Sequence, residues 1–349
     1  MQNDKIDFVV MWVDGNDPEW QKEKNKYSVH SAADGSIYRY RDFGLLKYWF
    51  RGIEKFAPWV NQIYFITWGH VPDWLDTNHP KLKVVRHEDF IPKKYLPTFS
   101  ANTIETNIFR IKELAEHFVL LNDDVYIINH VRPTDFFDEG IPLDTVALNV
   151  HCPKKSLISQ YFAINDTSII NEHFDFKKSF KENQKKWYSL KNGKMLLRTL
   201  VLKSCPRFPG FWQPHLTSSL CKSVMQKVWD EEYEILDSTC SHKFRESTDV
   251  NQWLFREWQI ASGYFKNRTI KFGRSYFIDR DGIGKIHDSL IKYICKQKGK
   301  VISINDGPMS DADFTHILTD LTEAFELILP EKCSFEKETE KCQKSKLEK

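Results

Sequence analysis

Two adjacent carboxylates interrupt an otherwise apolar run: Asn122-Asp123-Asp124 lies inside HFVLLNDDVYII, residues 117–128. Burying neighbouring carboxylates is costly unless something pairs them. Placing them at the carboxyl end of a strand solves this, because open α/β sheets bind their ligands there. There they can hold a divalent cation through hard oxygen ligands, and the cation can hold a diphosphate. The plainer alternative is a strand-end turn with solvated aspartates. A second acidic tip, Asp14-Gly15-Asn16-Asp17-Pro18, follows the apolar run 6–13. Alone it reads as an Asp-Gly turn, but two such tips in one α/β domain fit a shared site. Arg39-Tyr40-Arg41-Asp42 precedes a helical stretch carrying Lys47 and Arg51, a set suited either to phosphate oxygens or to a solvated basic face. His215 follows an aromatic-proline segment, 206–215; a loop histidine can serve as a general base or be merely structural. Arg245-Glu246-Ser247-Thr248-Asp249 leads into a helical pattern that Asp249 can cap. Asn305-Asp306-Gly307 follows the strand-like KVISI, a turn signal first and a polar site second.

The elements that must position these groups are partly legible. The runs 6–13, 61–69, 82–87 and 117–128 read as strands. Phe43, Leu46, Phe50, Ile53 and Phe56 share a helical face over 42–56, with Asp42 as cap and Pro58 closing. Ile104, Ile108, Ile111 and Leu114 predict a helix over 100–117 with Ser100 as cap. This order argues an α/β domain with a mainly parallel sheet over 1–150. A mixed, mainly helical part follows over 151–330. It has helices predicted at 217–237, at 248–263 and after Ser310, where Ser310 and Asp313 resemble a capping box. The charge-dense segment 331–349 reads as a disordered tail.

Composition narrows the class. The 349 residues carry 50 Lys+Arg against 48 Asp+Glu, too balanced for a dedicated nucleic-acid binder. Seven cysteines without a CxxC pair fit no zinc pattern and read as reduced thiols of a cytosolic protein. Residues 1–7 form no secretion signal, and no apolar run reaches the roughly 20 residues of a membrane helix. The sequons at Asn165 and Asn267 therefore read as chance. A dinucleotide fingerprint, Walker loop, HExxH and GxSxG are all missing.

DFVVMWVDGNDPEW (7–20) resembles the first conserved region of the Stealth family of sugar-phosphate transferases. YRYRDFGLLKYWFRGIEKFAPWVNQIYFITWGHVPDWL (38–75), continuing through 96–127, resembles the second. Residues 215–259 resemble the third and ISINDGPMSDADF (302–314) the fourth. The resemblance covers about two-thirds of the chain, in the family's order. Two positions depart: Gly307, where an Asn is frequent, and Gly44-Leu45, where an acidic residue followed by Leu is usual.

The resemblance implies a nucleotide-diphospho-sugar-binding core, GT-A/Rossmann-like, and transfer of a sugar-1-phosphate from a UDP-sugar to a glycan hydroxyl in bacterial capsule or exopolysaccharide synthesis. Mg²⁺ or Mn²⁺ would sit on Asp123 and Asp124, with Asp306 a further ligand. Asp14, Asn16, Asn122 and Asn305 would contact substrate, and Arg41, Lys47, Arg51 and Arg245 would neutralise diphosphate oxygens. His215 would be the general base, with Asp249 orienting it or serving as the base itself. The alternative is a metal-dependent glycosyltransferase releasing UDP. A lipid-linked oligosaccharide is the expected acceptor, which places the enzyme in the cytoplasm, peripheral to the inner membrane face. Loop 208–212 and the Lys-rich stretch 177–203 are candidate acceptor or membrane contacts.

Overall fold

The computed structural model describes residues 5–28, 40, 43–279 and 284–338. Among the described residues, eleven strands form three sheets. The central one has the order β3-β2-β1-β4-β8, with β1 Ile6–Met11, β2 Ile63–Thr67, β3 Leu82–Arg86, β4 His117–Asn122 and β8 Ser218–Cys221. Its first four strands are parallel and β8 is antiparallel. Strands β5 Val125–Ile127, β10 Gly273–Ile278 and β11 Val301–Asp306 make a second sheet in the order β10-β11-β5. Short strands β6 Phe137–Asp138, β7 Ile141–Asp144 and β9 Lys266–Asn267 make the third. The fold is thus α/β, with a mainly parallel central sheet.

Parallel strands covered on both faces need apolar side chains on both. Accordingly, Phe8 and Val10 join Phe65, Val119 and Leu121 in one core with helix Leu46–Phe56. Val9 joins Tyr64, Ile66, Phe118 and Leu120 in the other. The first core is closed by the second sheet and by helix Asp311–Ile328, whose Ser310 accepts from the Asp313 N–H as the sequence predicts. The second is closed by helices Lys222–Glu231, Tyr233–Ser241 and Trp253–Ala261.

Several expectations change. The run 117–128 is two strands in two sheets, and Asp123-Asp124 is the turn between them. The first part of 217–237 is strand β8 rather than helix; its small serines fit where Gln259 bonds both the Cys221 N–H and the Ser219 carbonyl. The helix at 101 ends at Asn107 and passes into a 3₁₀ turn, and Ser100 makes no capping bond. Asp42 lies outside the described residues, and Leu45 holds the cap position of the next helix. Just before it, Gly44 has φ +67, a left-handed conformation that an acidic side chain disfavours. At the other departure, a Cβ on Gly307 would come within 2.9 Å of the Phe277 ring. All six described cysteines are free. The sequon residue Asn165 spends its amide on the Ser247 and Asp249 carbonyls.

The segment expected to be a disordered tail begins as packed structure: Cys333 and Phe335 are buried, and Glu336 bridges to Leu75. Its partner is Arg51. The Arg51 guanidinium grips the Glu336 carboxylate at 2.7 and 3.1 Å, and Nη1 donates to the Leu329 carbonyl and Glu326. Both members of the pair are buried. Arg51 is therefore removed from the phosphate-binding candidates. Lys47, on the same helix, faces Glu326 at 3.6 Å and joins it in this structural cluster. Arg51→Met strands the Glu336 carboxylate and is expected to cost about 3–5 kcal/mol. Arg51→Met/Glu336→Met should recover most of that loss, as read by urea denaturation, because neither charge is then left unpaired.

Candidate active site

Parallel pairing of β1 with β4 sets Met11 beside Asn122, so Asp14 and Asn16 emerge at the same sheet edge as Asp123 and Asp124. Asp14 and Asn16 form a tight local turn: the Asn16 N–H donates to Asp14 Oδ1 at 2.8 Å, while the Asp14 N–H donates to the His70 ring at 2.8 Å. Asp17 caps the following helix, Pro18–Ser28, through the Trp20 N–H. The second sheet arrives at this edge from the far end of the chain. Ser303 pairs with Val125, and the Ile304 N–H donates to the Asp124 carbonyl at 2.9 Å. Asn305 and Asp306 thus continue past the acidic turn, and Asn305 donates to Ser303 Oγ.

His215 comes to the same place from a third direction. Its Nε2 lies 3.1 Å from Asp124 Oδ2. The carboxylate accepts, which fixes the Nε2–H tautomer and leaves Nδ1 as the basic nitrogen. The ring is 39% exposed. Burial lowers its pKa, but the charge and hydrogen bond of Asp124, with Glu105 adding, outweigh this and raise it. Asp124 Oδ1 is buried and has no hydrogen-bond partner. An orphaned carboxylate oxygen of this kind fits a hard cation. Among the described residues no three His, Cys, Asp or Glu groups form a cage.

The His215 backbone has φ +46, an uncommon conformation for a non-glycine residue. Buried charged groups hold the turn in place. Arg256 pairs bidentately with Asp144 and donates to the Trp212 carbonyl. Arg268 donates to Thr217 Oγ1 and its carbonyl. Glu257 accepts from Gln213 Nε2 at 2.8 Å. Burial, with Asp144 adding, pushes the Glu257 carboxyl up to about 8, against the opposing effects of Gln213 and Arg256. The neighbouring Asp166, fully buried, is raised by burial and by Glu257. A carboxyl with a raised folded pKa stabilises the protein fully below its ordinary value of 4.5 and loses that contribution as pH rises through about 8. Glu257→Gln is therefore expected to flatten the fall in stability between those pH values, measured as midpoint against pH.

Arg245 and Asp249 divide differently from the sequence expectation. Asp249 does not orient His215. It is fully buried and accepts from His242 Nδ1 at 2.7 Å, Asn102 Nδ2 at 3.1 Å and the Glu246 N–H at 3.0 Å. Burial raises its pKa, and these donors oppose the rise. Nor does it cap the next helix, which starts after Gln252. Its bonds instead tie together the 242–249 loop, on which Arg245 sits half-buried. Arg245 acts electrostatically on both Glu105 and His215. Glu105, buried on helix Ala101–Asn107, was missed in the sequence. A lone Glu on an apolar-periodic helix gives no signal until its neighbours are known. His242 was missed likewise. Arg41 lies outside the described residues. Loop 208–212 is not an acceptor surface at its aromatic centre, because Phe208 and Phe211 are core residues.

The chain matches two family descriptions: "Stealth protein CR1, conserved region 1" over residues 4–30 and "Stealth protein CR2, conserved region 2" over residues 39–145. It is 43% identical to a capsular polysaccharide phosphotransferase, WcwK, of Streptococcus pneumoniae, over 96% of this chain and 98% of that protein. It is 41% identical to a receptor polysaccharide phosphotransferase, WefC, of Streptococcus oralis (95% and 99%). It is 34% identical to an exopolysaccharide phosphotransferase, cps2G, of Lactiplantibacillus plantarum (95% and 96%). A crystal structure of the galactosyltransferase LgtC with donor and acceptor sugar analogues aligns at TM-score 0.37 and 9% identity, over 97% of this chain and 99% of that one.

Proposed function

Because the chain belongs to the Stealth protein family, we propose that it is a polysaccharide phosphotransferase acting through the site where the five-stranded sheet meets the β10-β11-β5 sheet. It moves a hexose-1-phosphate or N-acetylhexosamine-1-phosphate from a UDP-sugar to a glycan hydroxyl. The observation that carries this reading is the His215–Asp124 pair, with Arg245 and Glu105 acting on it. The pair supplies a base for a hydroxyl, and Arg245 supplies positive charge for phosphoryl oxygens.

The acceptor oxygen attacks the sugar-bearing phosphorus. The bond from that phosphorus to the bridging oxygen breaks, and UMP leaves. The sugar C1–O bond stays intact, so its anomeric configuration is kept. His215 Nδ1 takes the hydroxyl proton, while Asp124 holds the ring and stabilises the imidazolium. Arg245 neutralises charge on the transferred group, a task that dominates phosphoryl transfer. Glu105 holds Arg245 in place by charge. Asp14, Asn16, Asn122 and Asn305 line the edge where the nucleotide-sugar would lie. Asp124, with Asp123 and Asp306, would hold Mg²⁺ or Mn²⁺, which supplies positive charge to the diphosphate. The acceptor is a lipid-linked oligosaccharide, reached at the cytoplasmic face of the membrane. No helix among the described residues is long and apolar enough to cross a membrane.

Product identification tests the reading. With UDP-hexose or UDP-N-acetylhexosamine, Mg²⁺ or Mn²⁺ and a lipid-linked glycan pool, acceptor-dependent UMP is expected, and chelator should abolish it. Acceptor-dependent UDP would overturn the reading in favour of a glycosyltransferase.

A further inference from the structure

The largest exposures of apolar side chains are concentrated in one short stretch. Leu190 is 88% exposed, Leu197 69% and Val201 72%, with Leu200 also exposed. Leu197, Leu200 and Val201 lie three and four apart on helix Met195–Leu202, so they share its outer face. The inner face is anchored by buried Met195 and by Thr199, whose hydroxyl accepts from the Leu148 N–H. Leu190 sits on the 3₁₀ turn that immediately precedes this helix in the chain. Contiguous exposed apolar surface on a folded protein marks a contact site.

Charge indicates the partner. Residues 177–203 contain nine Lys or Arg and one acidic residue, Glu182, whereas the whole chain carries a net charge of only +2. The neighbouring helix Phe176–Glu182 is tied to the end of the apolar helix by Lys177, which donates to the Lys203 carbonyl. Lys178 and Lys181 are exposed on that same helix, and Lys194 and Arg198 are exposed around the leucines. Apolar side chains ringed by basic ones match a bilayer surface with anionic headgroups, into which the leucines dip while the cations stay at the phosphates.

We propose that helix Met195–Leu202, with the adjoining 3₁₀ turn, docks the enzyme on an anionic membrane surface. This rests on the reading that the acceptor is lipid-linked. The patch is joined to the active site: Arg198 donates to Asn149, the Asn149 N–H donates to the Gly210 carbonyl, and five residues later the chain reaches His215.

The test is sedimentation of the full chain with phosphatidylcholine vesicles, with and without about one-third phosphatidylglycerol. Binding to the anionic vesicles alone is expected, weakened at least tenfold in high salt. Leu197→Ser/Val201→Ser should lose binding while keeping its fold and its turnover with a water-soluble acceptor. Absence of binding by the unaltered protein would overturn the proposal, as would equal binding by the variant. So would a concentration-dependent dimer abolished by the same substitutions, since a second copy would then cover the patch. Because the readout is partition rather than turnover, failure here is distinguishable from failure of the phosphotransferase reading.

Discussion

A folded His215→Asn protein is expected to turn over about a hundred- to ten-thousand-fold more slowly than the parent, the range for loss of a positioned base. Asparagine is the better replacement because it tolerates the positive φ of this turn more readily than alanine. The ring is partly exposed and its backbone is held by Arg256, Arg268 and Glu257 through neighbouring residues. The unfolding midpoint should therefore barely move. The KM for the nucleotide-sugar should also change little, because the proposed mechanism has the ring act on the acceptor hydroxyl. Near-parental turnover in the folded variant would remove His215 from the mechanism.

The second large effect separates two residues four positions apart. Asp249→Ala leaves His242 and Asn102 without their buried acceptor and removes a bond from the loop N–H of Glu246. A loss of about 2–4 kcal/mol is expected from stranded donors of this kind, visible in urea denaturation. Turnover should fall with it, since that loop carries Arg245, which the proposed mechanism uses. Arg245→Ala should leave the unfolding midpoint nearly unchanged yet cost about a hundred- to a thousandfold in kcat, the scale for one lost charge stabiliser. An Asp249→Ala protein of unchanged stability would contradict the loop-folding role. An Arg245→Ala protein of unchanged turnover would contradict the phosphoryl contact.

What was legible in the sequence follows from how local each signal is. The first three parallel strands and β4 announce themselves as β-branched and aromatic runs, and helix Asp311–Ile328 through its capping serine. Strand β8 was hidden because four residues with two serines carry no periodicity, and the helix after it dominates the pattern. The acidic turn was found, but its pairing was not: His215 meets Asp124 across 91 positions of sequence. Sequence order does not say which histidine Asp249 meets; the fold brings it to His242 rather than to His215. Arg51 looked like a phosphate ligand because its true partner, Glu336, lies in a segment whose composition reads as disordered.

The two-sheet construction of the acidic turn has a consequence for how the protein is made. Strand β5 finds its partner β11 only about 180 residues later in the chain. At cellular rates of synthesis that is a wait of roughly 10–35 seconds on the ribosome. Until then Val125, Tyr126 and Ile127 present an unpaired apolar edge, although the strands before them are already complete. Nascent chains stalled in this interval should be the aggregation-prone species, because three apolar residues wait at an open edge for a strand that has yet to be translated.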